Sequence, residues 1–228
     1  MRLTRRQFLG CTAAAVPLWR WRFGRPSAAV ETTSKWVLLD PGPHCRLRES
    51  VSGYEAALGA RLLRAGAQSS PSCNVLIVPA AFEIPPAAVR AIAKCLQAGG
   101  KVILESGAWF ASEAEFRAHR RVLRDALDVY VEAPVSLWRP AEPGIPYVDF
   151  TWPFPTKIRD FSRVVPLASQ AGEVIARVGG VPAALRRRTG RGTLVFLGSP
   201  LGPALWAGDV EARRWLEAVG GRTQGNAA

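Results

Sequence analysis

Val75-Leu76-Ile77-Val78, followed by Pro85-Pro86 and then by Gly99-Gly100-Lys101-Val102-Ile103-Leu104, is the stretch on which the reading of this chain turns. Two short runs that are apolar at nearly every position flank a segment in which Val89, Ile92 and Leu96 recur at helical spacing. Proline suits the first turn of a helix, where its missing N–H has no intrahelical partner, and a glycine pair suits the stop. The order is strand, helix, strand. A strand that is apolar throughout, rather than at alternate positions, belongs in a sheet covered on both faces, as parallel sheets are.

The same alternation extends outward. Trp36-Val37-Leu38-Leu39 reads as an earlier strand, and Ser52-Gly53-Tyr54-Glu55 as a capping box opening a helix with Tyr54, Leu58 and Leu62 on one face. Ser112-Glu113-Ala114-Glu115 is a second capping box, leading a helix with Phe116, Leu123 and Leu127 inward; Val129-Tyr130-Val131 follows as a short strand. Val181 to Arg187 and Thr193 to Leu197 flank Thr189-Gly190-Arg191-Gly192 and read as a β-hairpin closing the sheet edge. A last helix starts near Asp209, with Ala212, Trp215, Leu216 and Val219 on one side. The expected fold is α/β: a doubly wound, mostly parallel sheet of the flavodoxin-like kind with a C-terminal β-hairpin. Between the two halves, residues 134–166 are rich in proline and interleave Trp138, Tyr147, Phe150, Trp152 and Phe154, a composition that excludes a regular helix.

The first residues carry an address. Thr4-Arg5-Arg6-Gln7-Phe8-Leu9 matches the twin-arginine export signal, with Arg5, Arg6, Phe8 and Leu9 as its signal residues. A mildly apolar segment from Phe8 to Trp19, a basic stretch and Ser27-Ala28-Ala29 follow, which places cleavage near Ala29. The expected organisation is a signal peptide at 1–29, one α/β domain at 30–221 and a disordered tail at 222–228. The partner implied is the twin-arginine translocation machinery, and the expected location is periplasmic or otherwise extracytoplasmic. The alternative is an uncleaved N-terminal membrane anchor, although the apolar core falls short of the ~20 residues that span a bilayer. No other stretch is long and apolar enough for a transmembrane span in the mature chain.

Charge and cysteines are read after that processing. The leader holds six of the 30 basic residues and none of the 18 acidic ones, so the formal charge of +12 falls to +6. The remaining charges are scattered rather than striped, and an exported protein does not meet a genome; nucleic acid is not an expected partner. Three cysteines remain, Cys45, Cys73 and Cys95, so at least one thiol stays free. Cys45 follows one strand and Cys73 precedes another, at opposite edges of a parallel sheet roughly 17 Å apart, too far for a bridge unless the long loop folds back. Cys95 reads as a small buried hydrophobe. There is no metal-ligand spacing and no motif for a cofactor; Gly42 after the first strand does not open a dinucleotide loop.

The run Cys73-Asn74-Val75-Leu76-Ile77-Val78-Pro79, the helix ending in Gly99-Gly100-Lys101-Val102-Ile103-Leu104, and Gly190-Arg191-Gly192-Thr193-Leu194-Val195-Phe196-Leu197-Gly198 together resemble the class I glutamine amidotransferase-like fold. The style is closest to its catalytically silent versions, such as the domain beside the barrel in some β-galactosidases. The likeness covers residues 36 to 110 and 174 to 219. Active members carry a cysteine in a Gly-x-Cys-x-Gly turn and a His-x-Glu pair. Here Leu104-Glu105-Ser106-Gly107-Ala108-Trp109 has no cysteine, and Leu197-Gly198-Ser199-Pro200-Leu201-Gly202 stands where the family shows His-Pro-Glu. A thiolate nucleophile needs a nearby base, so the resemblance implies a degenerate version without amide hydrolysis.

Two functional readings follow. The first is an exported, non-catalytic module that binds a ligand, or a protein or carbohydrate partner, through the carboxyl edge of the sheet and segment 134–166, with Trp138, Tyr147 and Trp152 as stacking or anchoring residues. The second is a periplasmic hydrolase with a rearranged site. Ser106 ends a strand beneath the expected ligand crevice, Glu105 is beside it, and His44 in Pro41-Gly42-Pro43-His44-Cys45 reaches toward it from the first strand's loop. Ser106 lacks Gly-x-Ser-x-Gly framing. The other histidine, His119, stands among Arg117, Arg120 and Arg121 and reads as a solvated or boundary residue. Arg186-Arg187-Arg188 with Arg191 is a candidate grip for an anion, weighed against a plain solvated turn.

Overall fold

The computed structural model describes residues 36–66, 73–107, 109–136, 146–160, 163–168 and 172–221. The chain divides into two units, Met1–Thr33 and Ser34–Ala228, and every described residue belongs to the second. The signal segment 1–29, Trp138 and the tail 222–228 lie outside the described residues.

In chain order the elements are β1 (Trp36–Asp40), α1 (Arg48–Leu58), β2 (Leu62–Gly66), β3 (Val75–Ala81), α2 (Pro86–Gln97), β4 (Lys101–Ser106) and α3 (Glu113–Leu127). There follow β5 (Tyr147–Phe150), β6 (Thr156–Arg159), β7 (Glu173–Val178), β8 (Val181–Thr189), β9 (Gly192–Leu197), α4 (Gly202–Trp206) and α5 (Val210–Gly220). Among the described residues the nine strands form one sheet in the order β2-β1-β3-β4-β9-β8-β7-β5-β6.

The sheet is mixed, which corrects the expected fold class. From β2 to β9 neighbouring strands run parallel; from β9 through β8, β7 and β5 to β6 every pair is antiparallel. A mostly parallel, doubly wound sheet is therefore not what forms, and the β8–β9 hairpin does not close an edge. β9 pairs in parallel with β4 on its other side, so the hairpin sits mid-sheet and reverses the strand direction there. The segment expected to be irregular supplies β5 and β6, the far edge of the sheet.

The parallel part follows from its side chains. Trp36, Leu38, Val75, Ile77, Ile103 and Val195 point to one face, where Tyr54 and Leu58 of α1, Ala204 and Leu205 of α4 and Trp215 of α5 cover them. Val37, Leu76, Val78, Val102, Leu104 and Phe196 point to the other, under Ile92 and Leu96 of α2 and Phe116 and Leu123 of α3. Each such side chain removed from water contributes roughly 1.5–3 kcal/mol before chain entropy is subtracted. The antiparallel part is held from one side by α5. The Trp215 ring lies 4.8 Å from Phe150, and its Nε1 donates to the Trp152 carbonyl at 2.8 Å.

Local details depart from the sequence reading in three places. α1 starts at Arg48, so Ser52 lies inside the helix, and Leu62 begins β2 instead of continuing the helical face. Val131 makes only an isolated bridge to Leu167, not a strand. Ser112 does cap α3, accepting from the Glu115 amide at 3.2 Å. Among the described residues no helix is long and apolar enough to cross a membrane.

Candidate functional site

The carboxyl ends of β1, β3, β4 and β9 gather the chemistry-bearing residues, yet each of the three expected to converge is bonded to a different partner. Glu105, the penultimate residue of β4, is fully buried. Its Oε1 accepts from the Tyr54 hydroxyl at 2.6 Å, the Leu201 amide at 2.7 Å and the Gly202 amide at 3.2 Å, and its Oε2 accepts from the Ala80 amide at 3.0 Å. Burial pushes this carboxyl above its ordinary value, and the four donors pull it back only in part. Its acceptor capacity is spent on tying α1, β3 and the start of α4 together.

His44 is engaged with another residue. Its Nδ1 pairs with the Glu83 carboxylate at 2.9 Å, and its ring leans on Phe82. Ser106 instead faces His119, the histidine taken for a solvated one: Ser106 Oγ and His119 Nε2 are 3.0 Å apart, and both residues are buried, at 0% and 1% exposure. His119 is on the inward face of α3 because it lies one turn from Phe116 and from Leu123, the spacing of a buried stripe; its arginine neighbours occupy the other faces. That spacing was the available signal. The Phe110 ring lies 5.1 Å from it.

Burial pushes His119 down to about 4, while the Phe82 backbone carbonyl favours the proton. The ring is therefore neutral near pH 7. Because its folded value lies below the ordinary 6.5, its contribution to stability is complete above pH 6.5 and is lost as pH falls toward 4. Urea unfolding between pH 7.5 and 4 is expected to show the wild type losing about 3 kcal/mol more than His119→Gln over this range. Parallel curves for the two proteins would contradict a neutral buried ring.

Two hollows adjoin one another here, and His119 lines the larger. The larger, about 710 Å³, lies between α2 and α3, with Phe82 and His119 on its wall. Its sides are apolar (Ile84, Val89, Val122), and its rim carries both signs of charge, including Arg90, Arg121 and Asp125. The smaller, about 260 Å³, lies between the carboxyl ends of β1 and β3 and is lined by Asp40, Gly42 and His44; Glu83 and Ile84 border both. In the strand order β2-β1-β3 the chain leaves β1 to one side and later resumes on the other, and such a switch point leaves a crevice beyond the strand ends where open α/β sheets hold ligands.

The remaining sequence candidates are placed as follows. Tyr147 is exposed on β5. Trp152 is packed against the core, its ring nearly perpendicular to that of Trp215 and the Arg186 guanidinium 4.6 Å above it. The arginine cluster is mostly engaged: Arg186 pairs with Glu173, Arg187 with Asp128 at 2.7 Å, and Arg191 donates to the Gln97 carbonyl at 2.9 Å. Residues missed by sequence reasoning are His119, Tyr54, Phe82 and Glu83. A further buried pair, Ser199 donating to Asp160 at 2.8 Å, occupies the end of β9 where the sequence resemblance looked for a base.

Fold and site together define a single mixed-sheet α/β module with a carboxyl-edge crevice. No protein-family model matches the chain, and neither does any curated protein. Among solved structures it is similar to a β-galactosidase from Bacillus circulans sp. alkalophilus (TM-score 0.56, 14% identity, 77% of this chain and 30% of that one). It is similar also to an exo-β-1,4-mannosidase from Opitutaceae bacterium strain TAV5 (TM-score 0.56, 11% identity, 81% and 36%). A cytoplasmic protein from Salmonella typhimurium LT2 aligns over more of its own length (TM-score 0.54, 15% identity, 76% and 85%). The chain spans about a third of the length of the two glycosidases, and likeness at this identity concerns the fold alone. These findings correct the glutamine amidotransferase-like assignment: the solved structures it is similar to include glycosidases, and half of the strand pairs among the described residues are antiparallel.

Proposed function

We propose that this chain is an exported, non-catalytic module that binds a small ligand with an apolar body in the crevice between α2 and α3. The observation that carries the reading is the 710 Å³ hollow beside the switch point, apolar along its sides and charged at its rim, with a neutral His119 on its wall. The nearby groups that could do chemistry are committed elsewhere: Glu105 to four donors, His44 to Glu83, and Ser106 to a fully buried bond. Export rests on Thr4-Arg5-Arg6-Gln7-Phe8-Leu9, and the translocation machinery is the partner that motif brings. The exposed Tyr147 keeps a second contact open to a protein or carbohydrate partner at the far sheet edge.

A hydrolase is the second reading, and the 3.0 Å Ser106–His119 contact favours it. Incubating the purified protein with a fluorophosphonate probe separates the two. The binding module takes up no label, since the Ser106 hydroxyl is out of reach; labelling that disappears in Ser106→Ala would transfer the conclusion to the hydrolase.

A further inference from the structure

At the amino-terminal edge of the sheet, opposite the crevice, two cysteines face each other. Cys73 lies just before β3, Cys95 lies near the end of α2, and their sulfurs are 3.7 Å apart. Both backbones are fixed: the Gly100 amide donates to the Cys95 carbonyl at 2.9 Å, and the Lys101 amide donates to the Asn74 carbonyl at 2.8 Å. Gly100 leaves the space that the Cys95 sulfur fills, because a Cβ there would stand 2.5 Å from it. A covalent bond at about 2.05 Å requires the sulfurs to close by about 1.6 Å, a movement within reach of side-chain rotation.

We propose that Cys73 and Cys95 form a disulfide bridge under oxidising conditions, closing a loop around β3 and α2 and leaving Cys45 as the free thiol of the sheet domain. The oxidant is a small-molecule or protein disulfide. Cys73, the more exposed of the two, loses its proton and attacks that disulfide, forming a mixed disulfide and releasing one thiolate. Cys95 then loses its proton and attacks the Cys73 sulfur, releasing the second thiolate. Two protein thiols are oxidised, one disulfide is reduced to two thiols, and the two protons end on the released groups. Cys45 stays out of the exchange: its thiol donates to the Leu47 carbonyl at 3.3 Å, and burial pushes it up to about 11. Persistence of the bridge rests on the export reading, which supplies an oxidising compartment; its formation rests on the geometry alone.

The test is to incubate the purified full chain, carrying Cys11→Ser, with oxidised glutathione, then denature it, alkylate it and map its peptides by mass spectrometry. The expected result is a loss of two hydrogens, a linked Cys73–Cys95 peptide, an alkylated Cys45, and a melting temperature raised by roughly 10 °C over the reduced protein. Alkylation of both Cys73 and Cys95 after oxidation, a stable glutathione adduct on Cys73, or a bridge to Cys45 would overturn the proposal. A bridge formed in vitro supports it even where the cell-derived protein has reduced thiols, and that second result would count against export instead.

Discussion

Replacing Glu105 by alanine is expected to cost the fold about 4 kcal/mol at neutral pH, because it strands four buried donors at once. The Tyr54 hydroxyl and the amides of Leu201, Gly202 and Ala80 all lose their acceptor. Glu105→Gln is the informative companion. Its carbonyl oxygen can keep the three donors that converge on Oε1, while its amino group is set against the Ala80 amide, so the loss is smaller, about 1–2 kcal/mol. The charge itself works the other way. An acid held above its ordinary value binds its proton more tightly in the folded chain, so its contribution to stability falls as pH rises from 4.5 through the raised value. Denaturant titrations of the three proteins check the ordering, and an alanine variant within about 1 kcal/mol of wild type would remove Glu105 as the tie between α1, β3 and α4.

The second large effect lies where α1 crosses α4. A Cβ on Gly202 would stand 2.3 Å from the Ser50 Cα and 2.4 Å from the Ser50 carbonyl oxygen, and one on Gly53 would stand 1.9 Å from the Gly202 carbonyl oxygen. Main chain meets main chain, so no rotamer change makes room. Gly202→Ala is expected to destabilise by about 4 kcal/mol or to prevent accumulation of folded protein. Gly66→Ala, with nothing within 4 Å of its added carbon, is the control and should fall within about 0.5 kcal/mol of wild type. Equal stability of the two variants would refute the close helix crossing. Gly53→Ala paired with Gly202→Ala should be less than additive, since either change alone already forces the helices apart.

The sequence made the parallel part of the sheet legible because those strands are buried on both faces and announce themselves as unbroken apolar runs. The rest of the sheet has no such signature. β5 alternates exposed and buried residues within four positions, β6 buries only Ile158, and β7 shifts register between Val174 and Ala176. Their place is decided by Trp215 of α5 and by pairing with distant residues, which no local window contains. β2 escaped notice for a similar reason: as an edge strand it buries little, and Arg64 on it pairs with Asp40 and Glu55. The hairpin was read correctly as a pairing but placed at an edge, because nothing in its own residues says that β4 will join β9 from the other side.

At the site, Ser106 and Glu105 stood out because polar residues closing an apolar strand invite a reason. Their partners were harder to see. His119 was hidden by the arginines around it, although Phe116, His119, Leu123 and Leu127 trace a single helical face. The Cys73–Cys95 approach depends on how α2 lies across β3 and β4, a tertiary fact. Trp138 and the export signal fall outside the described residues, so those expectations stand on the sequence alone.

The binding reading stands or falls on whether the crevice between α2 and α3 holds a ligand. Native mass spectrometry of the purified protein is the measurement to make, comparing the wild type with Ala118→Trp, which fills the crevice from an exposed position on α3. The expected result is a reproducible mass excess on the wild type that is missing from the variant, with both proteins equally folded. A bare mass for the wild type, or an excess that survives the substitution, would contradict it.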